Sequence, residues 1–294
     1  MKRILPICIL FCLFAPSFAV LAQTGTPYSA TPQQQGQIET YLRTSLRLIT
    51  DEQYEGAYQQ ARQALVMSQR RKDKGRQARA ANLLAVAALH LGRTNEAINY
   101  FRQASEVADE ARNEQVRKIE LTALDRAGGL LRISGRYDDA LFCFTRAQQL
   151  YREQNDRKGE ALMLSRLGAI YSDTGDYAKS DQNLQEALTI ARTLGERELE
   201  VMVLVRLLVL EKERGNLDAA LAFGQQAMTF NLSRPSARIE MYYQLGMVYA
   251  ALNQHQKAAE LFEWTLARSR ELRVPLYESL VQGEFAWTQF KLGK

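Results

Sequence analysis

The chain copies itself at intervals of about 40 residues, and this constrains its fold more than any other feature. Five segments align around a small turn: residues 91–97 (LGRTNEA), 134–140 (SGRYDDA), 174–180 (TGDYAKS), 214–220 (RGNLDAA) and 252–258 (LNQHQKA). Each opens the turn with Gly or Asn and carries a small residue five positions later. A second small residue follows seven further on, at Ala104, Ala147, Ala187 and Ala227, with Thr265 the exception. A bulky residue falls between them at Phe101, Phe144, Leu184 and Phe262, while Gly224 breaks the pattern. An earlier copy has Glu52 in the Gly slot, followed by Tyr54, Ala57 and Ala64. The turn positions are therefore 52, 92, 135, 175, 215 and 253. A unit of this size cannot bury its apolar face alone, so repetition implies stacking into one continuous core.

Each period reads as two amphipathic helices around the turn. Before it, apolar residues recur at helical spacing, as in Leu164, Leu167, Gly168 and Tyr171; after it they recur as in Ala140, Phe144 and Ala147. Glycine ends the first helix because it tolerates positive φ. Asn95, Asp138 and Asp218 are expected as N-caps of the second. Gly168, Gly246 and the alanines let paired helices approach closely. With only six prolines in 294 residues, nothing interrupts a helical reading.

This pattern resembles the tetratricopeptide repeat (TPR) family. The matching residues are Leu167, Gly168, Tyr171, Gly175, Tyr177, Leu184 and Ala187 in one copy, and Leu245, Gly246, Tyr249, Ala258 and Phe262 in another. The period exceeds the family's usual ~34 residues, so it looks like a longer subclass whose second helix gains one or two turns. The resemblance implies an all-α, right-handed α-solenoid of about six helix hairpins over residues 37–294. The repeats are expected at 37–75, 76–115, 116–158, 159–198, 199–235 and 236–275. Residues 276–294 read as a C-terminal capping helix, with Gln282 and Gln289 in slots that would face a partner helix; the alternative is a piece of a longer protein.

The first residues read as an address. Met1-Lys2-Arg3 is basic, residues 4–14 are apolar, Pro16 and Ser17 break the run, and small residues at spacing two offer cleavage after Ala22. The expectation is a signal peptide over 1–22 and an exported protein, periplasmic or extracellular; an N-terminal membrane anchor is the alternative. Residues 23–36, with Pro27, Pro32 and three successive glutamines, read as a disordered polar tether. Two of the three cysteines, Cys8 and Cys12, leave with the signal. Cys143 remains and reads as a small buried hydrophobe rather than a reactive thiol. No stable membrane span is expected after cleavage.

Chemistry is sparse. Lys plus Arg is 38 against 33 for Asp plus Glu, a net charge of +5 that is too dilute for a nucleic-acid footprint. The histidines, His90 and His255, stand apart, and no Cys, His or carboxylate cluster has metal spacing. No phosphate-binding glycine motif occurs; Gly128-Gly129 lies inside a helix pattern. The basic run at 70–76 reads as a solvated connection. Asn231-Leu232-Ser233 spells a glycosylation sequon. No catalytic residue, metal or cofactor is expected.

One constellation stands out. Arg43, Arg126, Arg166 and Arg206 occupy one slot of the first helices, which holds Leu83, Gln244 and Glu284 in the other copies. In TPR-like superhelices the first helices line the concave face, so this slot implies a ladder of guanidiniums suited to carboxylates and carbonyls. Asp125, Arg132, Ser165, Asp173, Lys212, Glu213, Tyr243, Met247 and Trp287 are expected as neighbouring groove positions. An inert helix flank, its arginine stems covering apolar neighbours, is the competing reading. The function expected is a non-enzymatic scaffold holding a peptide or protein segment with acidic and apolar residues. The alternative is a sensory or regulatory module whose effector, resembling a CHAT-type protease or a signalling output, is missing or on another chain; an enzyme using the groove is a third. Trp287 and Phe290 also suit self-association.

Overall fold

A computed structural model describes residues 32–111, 114–230 and 235–293. The signal reading, residues 23–31 of the tether and the sequon at 231–233 lie outside the described residues. Among those described there are thirteen helices and no strand, and no helix is long and apolar enough to cross a membrane.

The chain forms two compact units meeting at residues 150 and 151. The N-terminal unit holds α1 (Pro32–Thr50), α2 (Tyr54–Arg70), α3 (Lys74–His90), α4 (Thr94–Ala111), α5 (Glu114–Ile133) and most of α6 (Tyr137–Glu153). The C-terminal unit holds α7 (Arg157–Asp173), α8 (Tyr177–Leu194), α9 (Arg197–Glu213), α10 (Leu217–Met228), α11 (Pro235–Ala251), α12 (His255–Glu271) and α13 (Pro275–Lys291). The tether reading is corrected at its end, because α1 already begins at Pro32. Proline fits the first helical position, where no N–H is needed.

The recurring element is half the size that the sequence suggests. A residue with positive φ stands at Glu52, Lys72, Gly92 and Gly135, then at Asn155, Gly175, Gly195, Gly215, Asn253, Arg273 and Gly293. Except across the two intervals that hold residues 112–113 and 231–234, one left-handed residue thus recurs about every 20 positions, both within and between hairpins. The next amide reaches back five residues to close the helix: Asp73 N–H donates to the Ser68 carbonyl at 3.0 Å, Asp156 to Tyr151 at 2.9 Å and Val274 to Ser269 at 2.8 Å. This hydrogen bond satisfies carbonyls that the helix end leaves open. The following helix starts at once, so helix lengths are nearly equal: 17 and 18 residues for α7 and α8, and 17 each for α11 and α12. The long period therefore does not come from a lengthened second helix.

Early starts also move the caps. α4, α6 and α10 begin at Thr94, Tyr137 and Leu217. Asn95, Asp138 and Asp218 consequently lie inside the first turn rather than capping it. There the two aspartates favour the positive end of the helix dipole. Side-chain caps come instead from Asp73, Asp156 and Asp176, which accept from the amides of Arg76 (3.0 Å), Gly159 (2.8 Å) and Lys179 (3.2 Å).

Hairpins close by seating a bulky side chain on a missing one. A Cβ on Gly128 would lie 2.6 Å from the Phe144 ring, one on Gly168 2.7 Å from Leu184 Cγ, and one on Gly246 2.6 Å from the Phe262 ring. The α9–α10 pair exchanges the sizes. Leu208 takes the glycine slot and Gly224 the bulky one, where a Cβ would meet Leu208 at 2.8 Å and Leu245 at 2.6 Å. The break in the sequence pattern at Gly224 is thus a compensated swap that keeps the packing volume.

First helices also touch their counterparts: α1, α3 and α5 in one unit, and α7, α9, α11 and α13 in the other. The second helices show no comparable approach to one another among the described residues. In each unit the first helices therefore line the tighter, inner side.

Candidate functional site

Packing on three sides leaves most of the first helices a narrow, partly exposed strip, whereas α3 is buried from Ala80 to Ala88. In α9, from Val201 to Glu213, the only residues not buried are Met202, Arg206, Val209, Lys212 and Glu213. Four of them follow i, i+4, i+7, i+11 spacing, which is one helix face. The matching strip is Glu39, Arg43, Leu46 and Thr50 on α1, and Thr122, Arg126, Gly129 and Ile133 on α5. On α7 it is Leu162, Arg166 and Asp173, with Ala169 buried in the same register, and on α11 Glu240, Gln244, Met247 and Ala251. The arginine slot lies in the middle of this strip. It holds Arg43 and Arg126 in the N-terminal unit, and Arg166 and Arg206 in the C-terminal unit.

The strip of α1 opens into a pocket of about 480 Å³ against α3, lined by Glu39, Leu42, Arg43, Leu46, Arg47, Thr50, Arg79 and Leu83. Glu39 organises its rim. Arg79 donates to both its carboxylate oxygens, at 3.0 and 3.3 Å, and Arg43 approaches at 3.4 Å. The Arg43 side chain remains 77% exposed. The pocket thus combines an apolar floor with three arginines and one glutamate, and two of the arginines lie on that glutamate. Of these residues the sequence singles out Arg43 and Leu83 alone; Glu39, Leu46, Arg47 and Arg79 follow from the strip spacing once its rotation is known.

Arg126 is half-buried on α5. Burial lowers its guanidinium pKa, and the adjoining Asp125 carboxylate opposes that shift. His90, at the end of α3, lies flat on Tyr54 with ring centroids 4.3 Å apart. Burial, and then the charge of Arg126, hold its imidazole below its ordinary pKa.

In the C-terminal unit the expected neighbours divide. Asp173 and Glu213 are exposed, and Arg166, Arg206, Gln244 and Met247 are partly so. Ser165 was expected on the groove but is fully buried; its position points at the next first helix. Lys212 and Tyr243 occupy the same seam. Lys212 Nζ donates to Gln244 Oε1 at 3.1 Å, and burial lowers its pKa against the pull of Glu213 and Glu284. The Tyr243 ring meets Tyr277 edge-on at 5.9 Å, and burial followed by Glu284 raises its hydroxyl pKa. Asp125 and Arg132 on α5 are half-buried. Trp287 lies on the α13 strip and is 54% exposed. Among the described residues no group of three or more potential ligands could hold a metal.

The tetratricopeptide repeat profile matches residues 119–192 and 159–233, and a second profile of the same family matches 78–110 and 239–263. No curated protein sequence matches the chain. Several solved structures share the fold. One is a signal-transduction ATPase with numerous domains and a tetratricopeptide repeat sensor, from Pyrococcus horikoshii (TM-score 0.65, 16% identity, 88% of this chain and 40% of that one). Another is the Rap conjugation gene regulator of plasmid pLS20 in complex with a Phr peptide (TM-score 0.64, 14% identity, 83% and 78%). A third is NprR in complex with its cognate peptide NprX (TM-score 0.61, 11% identity, 86% and 76%). With helix hairpins stacked in series and family profiles spread along most of their length, the chain belongs to the tetratricopeptide repeat family.

Proposed function

We propose that the protein is an exported, non-enzymatic scaffold that holds a peptide or protein segment against the inner strips of its first helices. The observation that carries this reading is the pocket between α1 and α3. It lies on the strip that bears the arginine slot and combines Arg43, Arg47 and Arg79 with Leu42, Leu46 and Leu83. Guanidiniums recognise carboxylates and main-chain carbonyls through paired hydrogen bonds, and the leucines take an apolar side chain. Two of the similar structures, the pLS20 Rap regulator and NprR, hold peptides, which supports the same use of the fold here. The partner expected is a segment with acidic and apolar residues.

Reversing the charge of Arg126, Arg166 and Arg206 together tests the slot. The variant is expected to keep its helical circular dichroism and to lose the partners that the wild-type protein captures. Unchanged affinity in a folded variant makes the arginines structural. A photoreactive residue at position 166, followed by mass spectrometry, identifies what lies on the strip. Export is tested separately: the mature protein is expected outside the cytoplasm, with Gln23 as its first residue.

A sensory role is the second reading, favoured by the similarity to an ATPase whose repeat region is named a sensor. It predicts that the captured partner is an effector whose output changes on binding.

A further inference from the structure

We infer that α13 pairs, antiparallel and about a two-fold axis, with α13 of a second copy of this chain. The argument starts from what α13 leaves open. Ala286 stands in the slot that Gly128, Gly168 and Gly246 hold in α5, α7 and α11. Those glycines seat Phe144, Leu184 and Phe262 of the helix that follows. On α13 this socket is exposed, and an added Cβ at nearby Gly283 would meet nothing within 4 Å. Beside the socket, Trp287 and Phe290 are 54% and 68% exposed and stack at 5.6 Å.

Gly283, Ala286, Trp287 and Phe290 follow i, i+3, i+4, i+7 spacing and share one face. Their sizes mirror about the midpoint between 286 and 287: small, small, large, large. A two-fold axis through that midpoint sets Trp287 of each copy against Ala286 of the other, and Phe290 against Gly283. Each large ring then enters the space that a small residue leaves, on both copies at once. A patch that complements itself in this way is what an isologous interface requires. Charge agrees along one flank. Lys291, whose ammonium lies 4.7 Å from the Trp287 ring centroid, comes within reach of Glu284 of the second copy, and opposite charges favour the antiparallel register. A different chain would need no such mirror pattern.

Sedimentation velocity on the purified protein tests the pairing, from about 1 to about 100 µM, the range that an interface of one helix face requires. The wild type is expected to move from monomer to dimer as concentration rises. Gly283→Leu fills the space needed by the second copy's Phe290, and its Cβ meets nothing within 4 Å in its own chain, so it is expected to stay monomeric with unchanged helicity. Phe290→Ala is expected to weaken the dimer about tenfold or more. Combining Phe290→Ala with Gly283→Phe exchanges large for small across the axis and is expected to restore it. A wild type that stays monomeric throughout the range overturns the proposal. So does a Gly283→Leu variant that dimerises as the wild type does.

Discussion

Arg192 Nε donates to Glu200 Oε1 at 2.8 Å across the turn that joins α8 to α9. Arg152 holds Glu160 in the same way between α6 and α7, and Arg270 holds Glu278 between α12 and α13, at 3.0 Å. An arginine in the last turn of one hairpin thus clamps a glutamate eight residues later, in the first helix of the next. The clamps differ in burial. Glu160 is 1% exposed and also takes Arg157, whereas Glu278 and Arg270 are 36% and 56% exposed.

Burial sets what each clamp contributes. Glu160→Ala leaves two arginines facing a void at a buried seam, although their own exposure above one half screens the loss. It is expected to destabilise by about 1–3 kcal/mol. Glu278→Ala is expected to cost less than about 1 kcal/mol. Urea unfolding midpoints of the two variants check this, and equal shifts would show that burial does not govern the clamps.

Glycine positions separate in the same manner. Gly168→Ala places a methyl 2.7 Å from Leu184 Cγ and 3.3 Å from the Ser180 carbonyl oxygen, with backbone on one side that cannot yield. It is expected to cost about 1–3 kcal/mol through overpacking. Gly283→Ala meets nothing and is expected to stabilise by up to about 1 kcal/mol through helix propensity. Thermal unfolding at a fixed protein concentration reads both signs.

These contrasts show what the sequence carried. The 40-residue period, the hairpins and the glycine sockets were legible because each repeats a residue type. The second turn of each period was not, since its left-handed position holds Lys72, Asn155 or Arg273 where only Gly195 gives a signal. The backbone accepts those residues because the helices on either side fix the turn. The clamps were visible in principle as Arg and Glu spaced by eight at three junctions. For the candidate site, the arginine slot falls on a partly exposed register of the first helices, whereas Ser165, expected beside it, is buried. Periodicity gives the faces of a helix; it does not say which polar edge meets the next helix and which meets water.

Cys143 offers a probe of the N-terminal unit. It is 9% exposed, and burial pushes its thiol up to about 11. The thiolate is the reactive form, so the native protein is expected to resist thiol reagents at neutral pH and to react fully in denaturant. The folded pKa lies above the unfolded one. The fold therefore favours the neutral thiol, and that contribution is lost as pH rises from about 9 towards 11. Cys143→Ala is expected to reduce the alkaline loss of stability. Rapid labelling of the native protein at neutral pH would contradict this account.

His90 ties stability to the arginine slot. Its pKa is lowered, first by burial and then by the charge of Arg126. A base whose folded pKa lies below its unfolded value supports the fold at pH above the unfolded value, 6.5. That support is lost as pH falls through the folded value. His90→Gln is therefore expected to lessen acid destabilisation of the N-terminal unit. The same field makes His90 a reporter. Arg126→Gln removes one cause of the depression, so the His90 pKa is expected to rise, followed by proton NMR of the imidazole. With only two histidines in the chain, His90→Gln also assigns the signal. A bound acidic segment that neutralises Arg126 is expected to move it in the same direction as Arg126→Gln. A ligand that binds tightly yet leaves the His90 titration unmoved occupies some surface other than the strip of α5.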